Sequence, residues 1–482
     1  MKLSLRWRVV SLFVLIVGGI IGSALLSAHL AHSSLAAGSD ATLVLSTTAG
    51  PPTSRFRLTG NGFGTSETIQ VTFDGALLGT ATATTEGSFS LAATIPPSAL
   101  PGKHQITASG QRSRITAMAS FLVNTNWAYD GYDMQRTHDN PHENAINPTN
   151  VSHLTLDWQF QTGNTINTSP VEVDGILYFT SSDEYLYALD AQTGALKWKF
   201  LLGKSPESPT VADGFVYVSP GGSPLYALDA KTGQQKWTFL PNVRKDYGLI
   251  SSSPVVANGI VYFGASNSYL FALDAKTGHL KWKSYMQAGI LASVSISKGV
   301  IYVPLASGDV AAVNAETGAV IWWDGGFSYN GFGSEAVVAD GYLFLTTFGS
   351  LFAFNASTGK LLWHHFSSYP AASYSVAAAS GIVYVGLGKR TFYAFAEKTG
   401  RLLWTYRSAS AVIASPAVAN GVVYFCTDAI GMLYAIDARS GAKLWSYEGG
   451  FYMSPPIVVN GMVYIGTYNG YLDAFHLPVA HS

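Results

Sequence analysis

Tryptophan recurs in this chain at an almost constant interval, and that interval constrains the fold more than any other feature. The positions are Trp158, Trp198, Trp237, Trp282, Trp322, Trp363, Trp404 and Trp445, with successive spacings of 40, 39, 45, 40, 41, 41 and 41 residues. The consensus of the repeat is Ser-Pro, an apolar run, a Gly turn and Val-Tyr, followed by a motif close to YALDAxTGxxxW that ends at the tryptophan. Repeats of this length that hold four short strands are typical of β-propeller blades. The sequence therefore predicts an all-β fold with an eight-bladed β-propeller at residues 153–478.

The repeat is out of phase with the ends of the propeller region. Trp158 has no YALDA motif before it, whereas YLDAF at residues 471–475 has no TGxxxW after it. A strand near residues 154–160 would complete the blade that begins at Ser454, which would remove the open sheet edge. The first and last blades are therefore predicted to join.

The conspicuous residues of the repeat have structural roles available. Within DAQTGALKW, Asp190 can accept backbone N–H bonds across the turn, and Gly194 can take a positive φ. Trp198 offers a large flat surface for packing between neighbouring blades. We interpret the eight tryptophans as structural docking residues and not as a platform for a cofactor.

The N-terminal segment, residues 1–40, is predicted to direct export. Lys2, Arg6 and Arg8 precede an uncharged apolar run from Val9 to about Leu26. This run is long for a cleaved secretory signal and just long enough to span a bilayer, so a cleaved signal and a single membrane anchor are both open. The segment contains no cysteine, which excludes a lipid-modified N-terminus.

Residues 41–124 are predicted to form a small β-sandwich. Ile69, Val71 and Phe73 alternate with polar residues, and Gly and Pro interrupt the sequence at short intervals. The stretch resembles the immunoglobulin-like (Ig-like) modules of bacterial surface proteins. That resemblance implies a spacer or stalk.

Residues 125–152 are predicted to form a polar linker between the two domains. His138 and His142 lie near Asp139 and Glu143 in this stretch, but no strand or helix periodicity aims them at a common point. We expect no metal site there.

Charge and composition exclude several classes of function. The chain has 28 Lys and Arg against 29 Asp and Glu, which gives a formal net charge of −1. This balance provides no basic patch to hold phosphates, so no nucleic-acid partner is expected. No Ser-His-Asp arrangement or Gly-rich phosphate loop stands out, and the adjacent His364 and His365 would point to opposite faces of a strand.

The repeats and their lead-in, NAINPTNVSHLTLDWQFQTG, resemble the pyrroloquinoline-quinone (PQQ)-repeat superfamily of quinoprotein alcohol dehydrogenase-like, eight-bladed propellers. This superfamily also has non-catalytic members, such as the propeller lipoprotein of the outer-membrane barrel assembly machinery. For a dehydrogenase the resemblance implies a Cys pair over the quinone, a calcium ion held by a carboxylate and an amide, a catalytic Asp, and long insertions. Here Cys426 is the only cysteine and every blade is close to minimal length. We therefore expect no catalytic residue and no cofactor, with PQQ and calcium confined to the alternative of a PQQ-dependent dehydrogenase.

The order of strands in a blade indicates which end of the ring binds a ligand. The first hairpin turns, such as Asp174-Gly175 and Asn258-Gly259, and the DAxTG turns must lie at the same end, which we expect to be closed and uniform. Connections at the opposite end vary in length, and variable loops on a rigid scaffold commonly carry binding residues. The predicted ligand-binding residues in these loops are Arg244, Lys245, Tyr247, Trp323, Phe327, Tyr329, Phe332, Tyr369 and Tyr374. The alternative is that their rings fill the central channel.

Blades four to six depart together from the repeat consensus. Ser-Pro is replaced at Ser293-Val294, Ser334-Glu335 and Ser373-Tyr374, and the turn Asp is replaced by Asn314, Asn355 and Ala396. Either relaxed packing or a specialised arc of the ring would explain this.

The function predicted from these features is an exported, non-catalytic propeller that binds a protein or glycan at the cell surface. Its location would be extracellular or anchored to the outer side of the cytoplasmic membrane. The alternatives are a PQQ-dependent dehydrogenase and a scaffold for assembly of envelope proteins.

Overall fold

The computed structural model of this chain describes residues 41–478 with short internal gaps. The residues outside the description are 1–40, 205, 222–223, 242–249, 251, 325–333, 348, 368–374, 389, 429, 453 and 479–482. The predicted signal or anchor falls in the first of these ranges, and it remains a prediction. Within the described residues, no helix has the length and apolar character needed to cross a membrane.

The first described domain consists of two antiparallel-rich sheets around one apolar core. Its strands are β1 (Thr42–Leu45), β2 (Ala49–Gly50), β3 (Arg55–Asn61), β4 (Thr68–Phe73), β5 (Ala76–Thr82), β6 (Phe89–Thr94), β7 (Gly102–Gly110) and β8 (Thr116–Val123). One sheet has the order β1-β3-β6 and the other the order β2-β8-β7-β4-β5. The alternating residues Ile69, Val71 and Phe73 point into the core, beside Leu58 and Phe121. The likeness of this domain to Ig-like modules stays a prediction.

Three short elements lie between this domain and the first blade along the chain. They are β9 (Asp139–Asn140), a 3-10 turn at Val151–His153, and β10 (Thr155–Gln161).

The rest of the described chain forms eight blades of four antiparallel strands, as the propeller prediction requires. In blade seven, β9 adds a fifth strand, which is parallel to β35. Blade one consists of β11 (Val171–Val173), β12 (Ile176–Thr180), β13 (Tyr185–Asp190) and β14 (Leu196–Leu201), and blade two of β15 (Thr210–Ala212), β16 (Phe215–Val218), β17 (Leu225–Asp229) and β18 (Gln235–Phe239). Blade three consists of β19 (Val255–Ala257), β20 (Ile260–Gly264), β21 (Tyr269–Asp274) and β22 (Leu280–Tyr285), and blade four of β23 (Ser295–Ser297), β24 (Val300–Pro304), β25 (Val310–Asn314) and β26 (Val320–Asp324). Blade five consists of β27 (Val337–Ala339), β28 (Tyr342–Thr347), β29 (Ser350–Asn355) and β30 (Leu361–Phe366), and blade six of β31 (Ala377–Ala379), β32 (Ile382–Leu387), β33 (Thr391–Ala396) and β34 (Leu402–Arg407). Blade seven consists of β35 (Ala417–Ala419), β36 (Val422–Cys426), β37 (Met432–Asp437) and β38 (Lys443–Glu448), and blade eight of β39 (Ile457–Val459), β40 (Met462–Gly466), β41 (Tyr471–His476) and β10.

The ring closes through a strand from the start of the propeller region. β10 pairs antiparallel with β41, so that the last sheet has the order β10-β41-β40-β39. The predicted closure is therefore confirmed, and the apolar faces of the first and last blades share one core.

The repeat tryptophans lie between neighbouring blades. The indole N–H of Trp198, for example, donates to the Ala230 carbonyl of the next blade at 3.0 Å. Beneath the same ring lies Gly233, with φ +69°, where an added Cβ would be only 2.6 Å from the indole. The same indole–carbonyl bond is made by Trp237, Trp282, Trp322, Trp363 and Trp404. The DAxTG glycine is thus required both by the turn and by the tryptophan that packs on it.

Candidate functional site

The segment that the sequence predicted as a linker occupies the central channel of the propeller. Between Trp127 and Asn140 it bonds to the innermost strand of every blade. The bonded pairs, from blade one to blade eight, are Trp127 with Glu172, Ala128 with Val211, Tyr129 with Val256, Met134 with Ile296, Gln135 with Val338, Thr137 with Ala378, His138 with Val418, and Asn140 with Val458. We call residues 125–148 the plug. It satisfies backbone groups of edge strands that would otherwise face an open channel.

A buried charge cluster fixes the plug to blades three to five. Arg136 is fully buried, and its guanidinium donates to the carbonyls of Ser253 and Val294 and, at 2.9 Å, to Glu335 Oε2. His138 Nε2 lies 2.6 Å from the other oxygen of Glu335. Burial alone would raise the pKa of Glu335, but His138 and Arg136 hold it below its ordinary value. The replacement of Ser-Pro by Ser334-Glu335 thus supplies the carboxylate that the plug needs.

The histidines of the plug do not converge on a metal site in the described structure. His138 is engaged by Glu335, and burial lowers the pKa of His142. Within the described residues, no group of three or more His, Cys, Asp or Glu side chains could hold a metal ion.

Of the predicted ligand-binding residues, the structure describes Trp323 alone. Trp323 lies in β26, is partly buried, and packs against the apolar core shared by blades three and four. The others lie outside the described residues: Arg244, Lys245, Tyr247, Phe327, Tyr329, Phe332, Tyr369 and Tyr374. The variable-loop site therefore stays a prediction.

The end of the ring that carries the hairpin turns is not closed, which corrects the expectation from the sequence. A cavity of about 1010 Å³ opens there between the plug and blades four to six. A second cavity of about 590 Å³ continues it toward blade seven, and both are lined by Asp139 and Ser380. Regular turns set the local backbone, but they do not fill the space between the blades and the plug. We call the two cavities together the turn-face groove.

Carboxylates outnumber cations in the larger cavity. Asp133, Asp139, Asp340 and Glu397 line it, with Lys298 as the lysine of the lining. Burial, reinforced by the charge of Asp133, raises the pKa of Asp139 to about 7. An excess of carboxylates in a partly enclosed space favours cationic ligands over anionic ones.

Glu397 departs from the repeat in a way that places a carboxyl group at the interface between two blades. The turn motif Asp-Ala becomes Ala396-Glu397 in blade six, whereas the residue equivalent to Glu397 is alanine in six other blades: Ala191, Ala230, Ala275, Ala315, Ala356 and Ala438. Glu397 is 2% exposed, and its Oε1 has no hydrogen-bond partner among the described residues. The sequence shows this exchange directly, because glutamate replaces alanine immediately after the position where Ala396 replaces the turn Asp.

The surface beside this cavity also differs from the other side of the ring. In blades one to three, a lysine immediately before the repeat tryptophan pairs with the turn Asp: Lys197 with Asp190, Lys236 with Asp229, and Lys281 with Asp274, at 3.0 to 3.5 Å. In blades four and five, Ile321 and Leu362 occupy this position, and both line the cavity. They are 51% and 43% exposed, respectively. The rim of the cavity is therefore apolar at a position where blades one to three are charged.

Eight blades joined by tryptophan docking define this chain as a PQQ-repeat type of β-propeller. A family model described as "Outer membrane protein assembly factor BamB" matches residues 149–289, 243–325 and 347–477, and the chain belongs to this family. Membership of that family is compatible with export.

Solved structures with the same fold include both enzymes and an assembly factor. A quinohemoprotein alcohol dehydrogenase from Pseudomonas putida has a TM-score of 0.65 at 18% identity, and the match covers 73% of this chain and 80% of that one. BamB from Moraxella catarrhalis has a TM-score of 0.55 at 16% identity, with 67% and 99% covered. At these identities the likeness shows the fold alone.

A curated relative matches a short part of the sequence. It is the 1-butanol dehydrogenase (cytochrome c) of Thauera butanivorans, 28% identical over 88 residues. The match spans 18% of this chain and only 13% of that protein.

These comparisons contradict the expectation of a chain without a cofactor. The similar proteins include a quinohemoprotein, which is named for its quinone and heme, and a dehydrogenase named with cytochrome c. The expectation rested on a missing Cys pair and short blades, which describe one way of holding a quinone and do not exclude others.

The described residues nevertheless do not fit a quinone held with a metal ion in the channel. The plug occupies that space, and the described part of the chain offers no metal-ligating group of three. Cys426 is buried in β36, where burial raises the pKa of its thiol to about 12.

Proposed function

We propose that this chain is an exported propeller that binds another protein of the cell envelope at the rim of the turn-face groove. The observation that carries this proposal is the exchange of surface Lys–Asp pairs for exposed Ile321 and Leu362 beside an acidic cavity. Exposed apolar side chains next to a concave surface are typical of protein-binding sites. Membership of a family described for an outer-membrane assembly factor, and the apolar run after Arg8, support an envelope location.

The plug supports a binding role on the faces of the ring. Because it bonds to the inner strand of every blade, the ring presents a rigid platform, and a partner has access to its ends and outer surface. A glycan of the cell surface is the alternative ligand, and the predicted aromatic loops at the opposite end are the alternative surface.

The test is retention of envelope proteins on the immobilised chain and on two double variants. Ile321→Lys with Leu362→Lys installs the residue that blades one to three carry, so the fold should survive. Leu196→Lys with Leu280→Lys makes the same change at exposed leucines on the other side of the ring. We expect a protein retained by the parent to be lost from the first variant and kept by the second.

Three results would redirect this proposal. Equal retention on both double variants would exclude the rim of the groove. Loss on a Tyr329→Ala, Phe332→Ala, Tyr369→Ala variant, with the groove variant unaffected, would place binding at the variable loops. Retention of cell-wall glycan in place of a protein would identify the alternative ligand.

A PQQ-dependent dehydrogenase is the second candidate, favoured by the match to the 1-butanol dehydrogenase. The chain would be incubated with PQQ and calcium and assayed for dye reduction with a panel of alcohols. Activity well above that of heat-killed protein would support this candidate and displace the first.

A further inference from the structure

The strongest unexplained feature of the groove is the Glu397 carboxyl group. A buried carboxyl oxygen without a partner costs free energy, because it has lost water and gained no hydrogen bond. Six other blades avoid this cost with alanine at the same position. The chain therefore retains a destabilising residue at a point that lines the cavity of about 1010 Å³.

The surroundings of Glu397 destabilise the charged form of its carboxyl group, so a positive charge beside it would be favourable. Burial, and then the charge of Asp340, raises the pKa of Glu397 to about 7, and only the adjacent Lys398 acts in the opposite direction. Lys298 also lines the cavity, and no ion pair between it and Glu397 occurs among the described residues. A cation brought into the cavity would relieve both the burial and the repulsion.

The shape of the cavity decides which cation fits. Its volume of about 1010 Å³ far exceeds the needs of a bare metal ion, and the described residues hold no metal-ligating group of three. Trp322, Tyr302 and Tyr342 line the same cavity, and aromatic rings attract ammonium and guanidinium groups. Asn355, Gln135 and Ser357 add neutral hydrogen-bonding groups.

We infer that the cavity over blades four to six binds a primary ammonium or guanidinium group, and that Glu397 forms the ion pair with it. The inference rests on the proposed partner-binding function, in which a Lys or Arg side chain of the partner supplies the group. A free amine would present the same chemistry. Ile321 and Leu362 at the rim would then contact the apolar part of the same segment.

The probes are Nα-acetyl-lysine N-methylamide and Nα-acetyl-arginine N-methylamide, with putrescine as the free amine, titrated by calorimetry or NMR. Acetyl-norleucine and acetyl-citrulline N-methylamides are the uncharged controls. We expect the charged probes to bind the full chain at least tenfold more tightly than their uncharged counterparts. Tighter binding of putrescine than of either amino-acid probe would identify the free amine as the source.

Two variants of one residue keep the result interpretable. Glu397→Gln preserves the shape, and Glu397→Ala installs the residue that six other blades accept. Both should melt at or above the temperature of the parent and should bind the charged probes at least tenfold more weakly. Asp340→Asn, a residue found at this turn position in blades three, seven and eight, should lower affinity no more than about threefold.

A lower melting temperature for Glu397→Ala would show that Glu397 serves the fold and would overturn the inference. Unchanged binding of the charged probes by both variants, or equal binding of charged and uncharged probes, would also overturn it. The proposed function is tested by a separate experiment. It fails if the Ile321→Lys, Leu362→Lys variant still retains the envelope protein.

Discussion

Blades one to three and blades four to six have the same backbone but different surfaces. The indole of Trp198 donates to Ala230 at 3.0 Å in the first arc, and that of Trp322 donates to Ala356 at 3.1 Å in the second. The surface turn, in contrast, carries Lys236 paired with Asp229 in the first arc and an exposed Ile321 in the second. Relaxed packing would have loosened the docking contacts first. Since these are intact, the comparison favours a specialised arc.

The two arcs also differ in how they hold the plug. Both arcs bond to the plug through backbone groups, and the first arc accepts further bonds from the Tyr129 hydroxyl and from Arg136 at the Ser253 carbonyl. The second arc adds a charge, because Glu335 forms a buried ion pair with Arg136. A buried ion pair adds little net stability, but removing one partner leaves an uncompensated charge. The second arc is therefore more sensitive to single substitutions in the plug.

Arg136→Met should have the largest effect. The substitution leaves Glu335 buried without its guanidinium, and we expect the free energy of unfolding to fall by about 3–5 kcal/mol. Denaturant unfolding would measure it, with the exposed Arg407→Met as the control for loss of one charge. Parent-like stability of Arg136→Met would show that the pair does not hold the plug.

Substitution of the DAxTG glycine that lies beneath a tryptophan ring should lower stability equally in both arcs. Gly233→Ala and Gly359→Ala each place a Cβ 2.6 Å from a tryptophan ring, at φ of +69° and +75°. We expect the free energy of unfolding of each variant to fall by more than the roughly 1–3 kcal/mol that a positive φ alone costs a non-glycine residue. Gly214→Ala, at φ +80° with nothing within 4 Å of the added Cβ, measures that backbone cost alone.

Tolerance of the substitution at Gly359 but not at Gly233 would contradict the view that docking is constant around the ring. It would revive relaxed packing as the explanation for the second arc. Thermal unfolding of the three variants side by side would distinguish these outcomes.

The features that could be predicted from the sequence are those whose signal lies within a short stretch of the chain. The spacing of the tryptophans and the orphan motif at Trp158 lie within single repeats, so the eight blades and their closure were predictable. The plug has no such signal, because its contacts join distant residues: Arg136 to Val294 over 158 positions, and Asn140 to Val458 over 318. Backbone bonds to strand edges place little demand on side-chain pattern.

The groove escaped prediction for a related reason. Turn sequences such as Asp340-Gly341 determine a hairpin, but the cavity arises from the distance between those hairpins and the plug. Glu397 was the one local signal, since it alone replaces alanine in the seven DAxTG-type turns. Reading the exchange of Asp-Ala for Ala396-Glu397 as a pair would have drawn attention to this cavity.

The smallest expected effect concerns the turn that blade six has lost. Asp229 Oδ1 accepts bonds from the Thr232 N–H and hydroxyl at 3.0 and 2.9 Å, so Asp229→Ala should cost about 1 kcal/mol. Blade six has Ala396 at the same position, with Thr399 three residues later, as in five of the other six turns. Ala396→Asp should therefore restore the bonds and add about 0.5–1 kcal/mol.

Chemical denaturation of Ala396→Asp, with Ala396→Asn to add the cap without the charge, would measure this gain. If both variants are more stable than the parent, blade six has given up a turn bond that its fold would accept. A gain for Ala396→Asn alone would instead point to repulsion between a carboxylate at 396 and the acidic cavity. Loss of stability in both would mean that the turn of blade six is shaped by Glu397 itself, and that the two arcs differ in backbone as well as in surface.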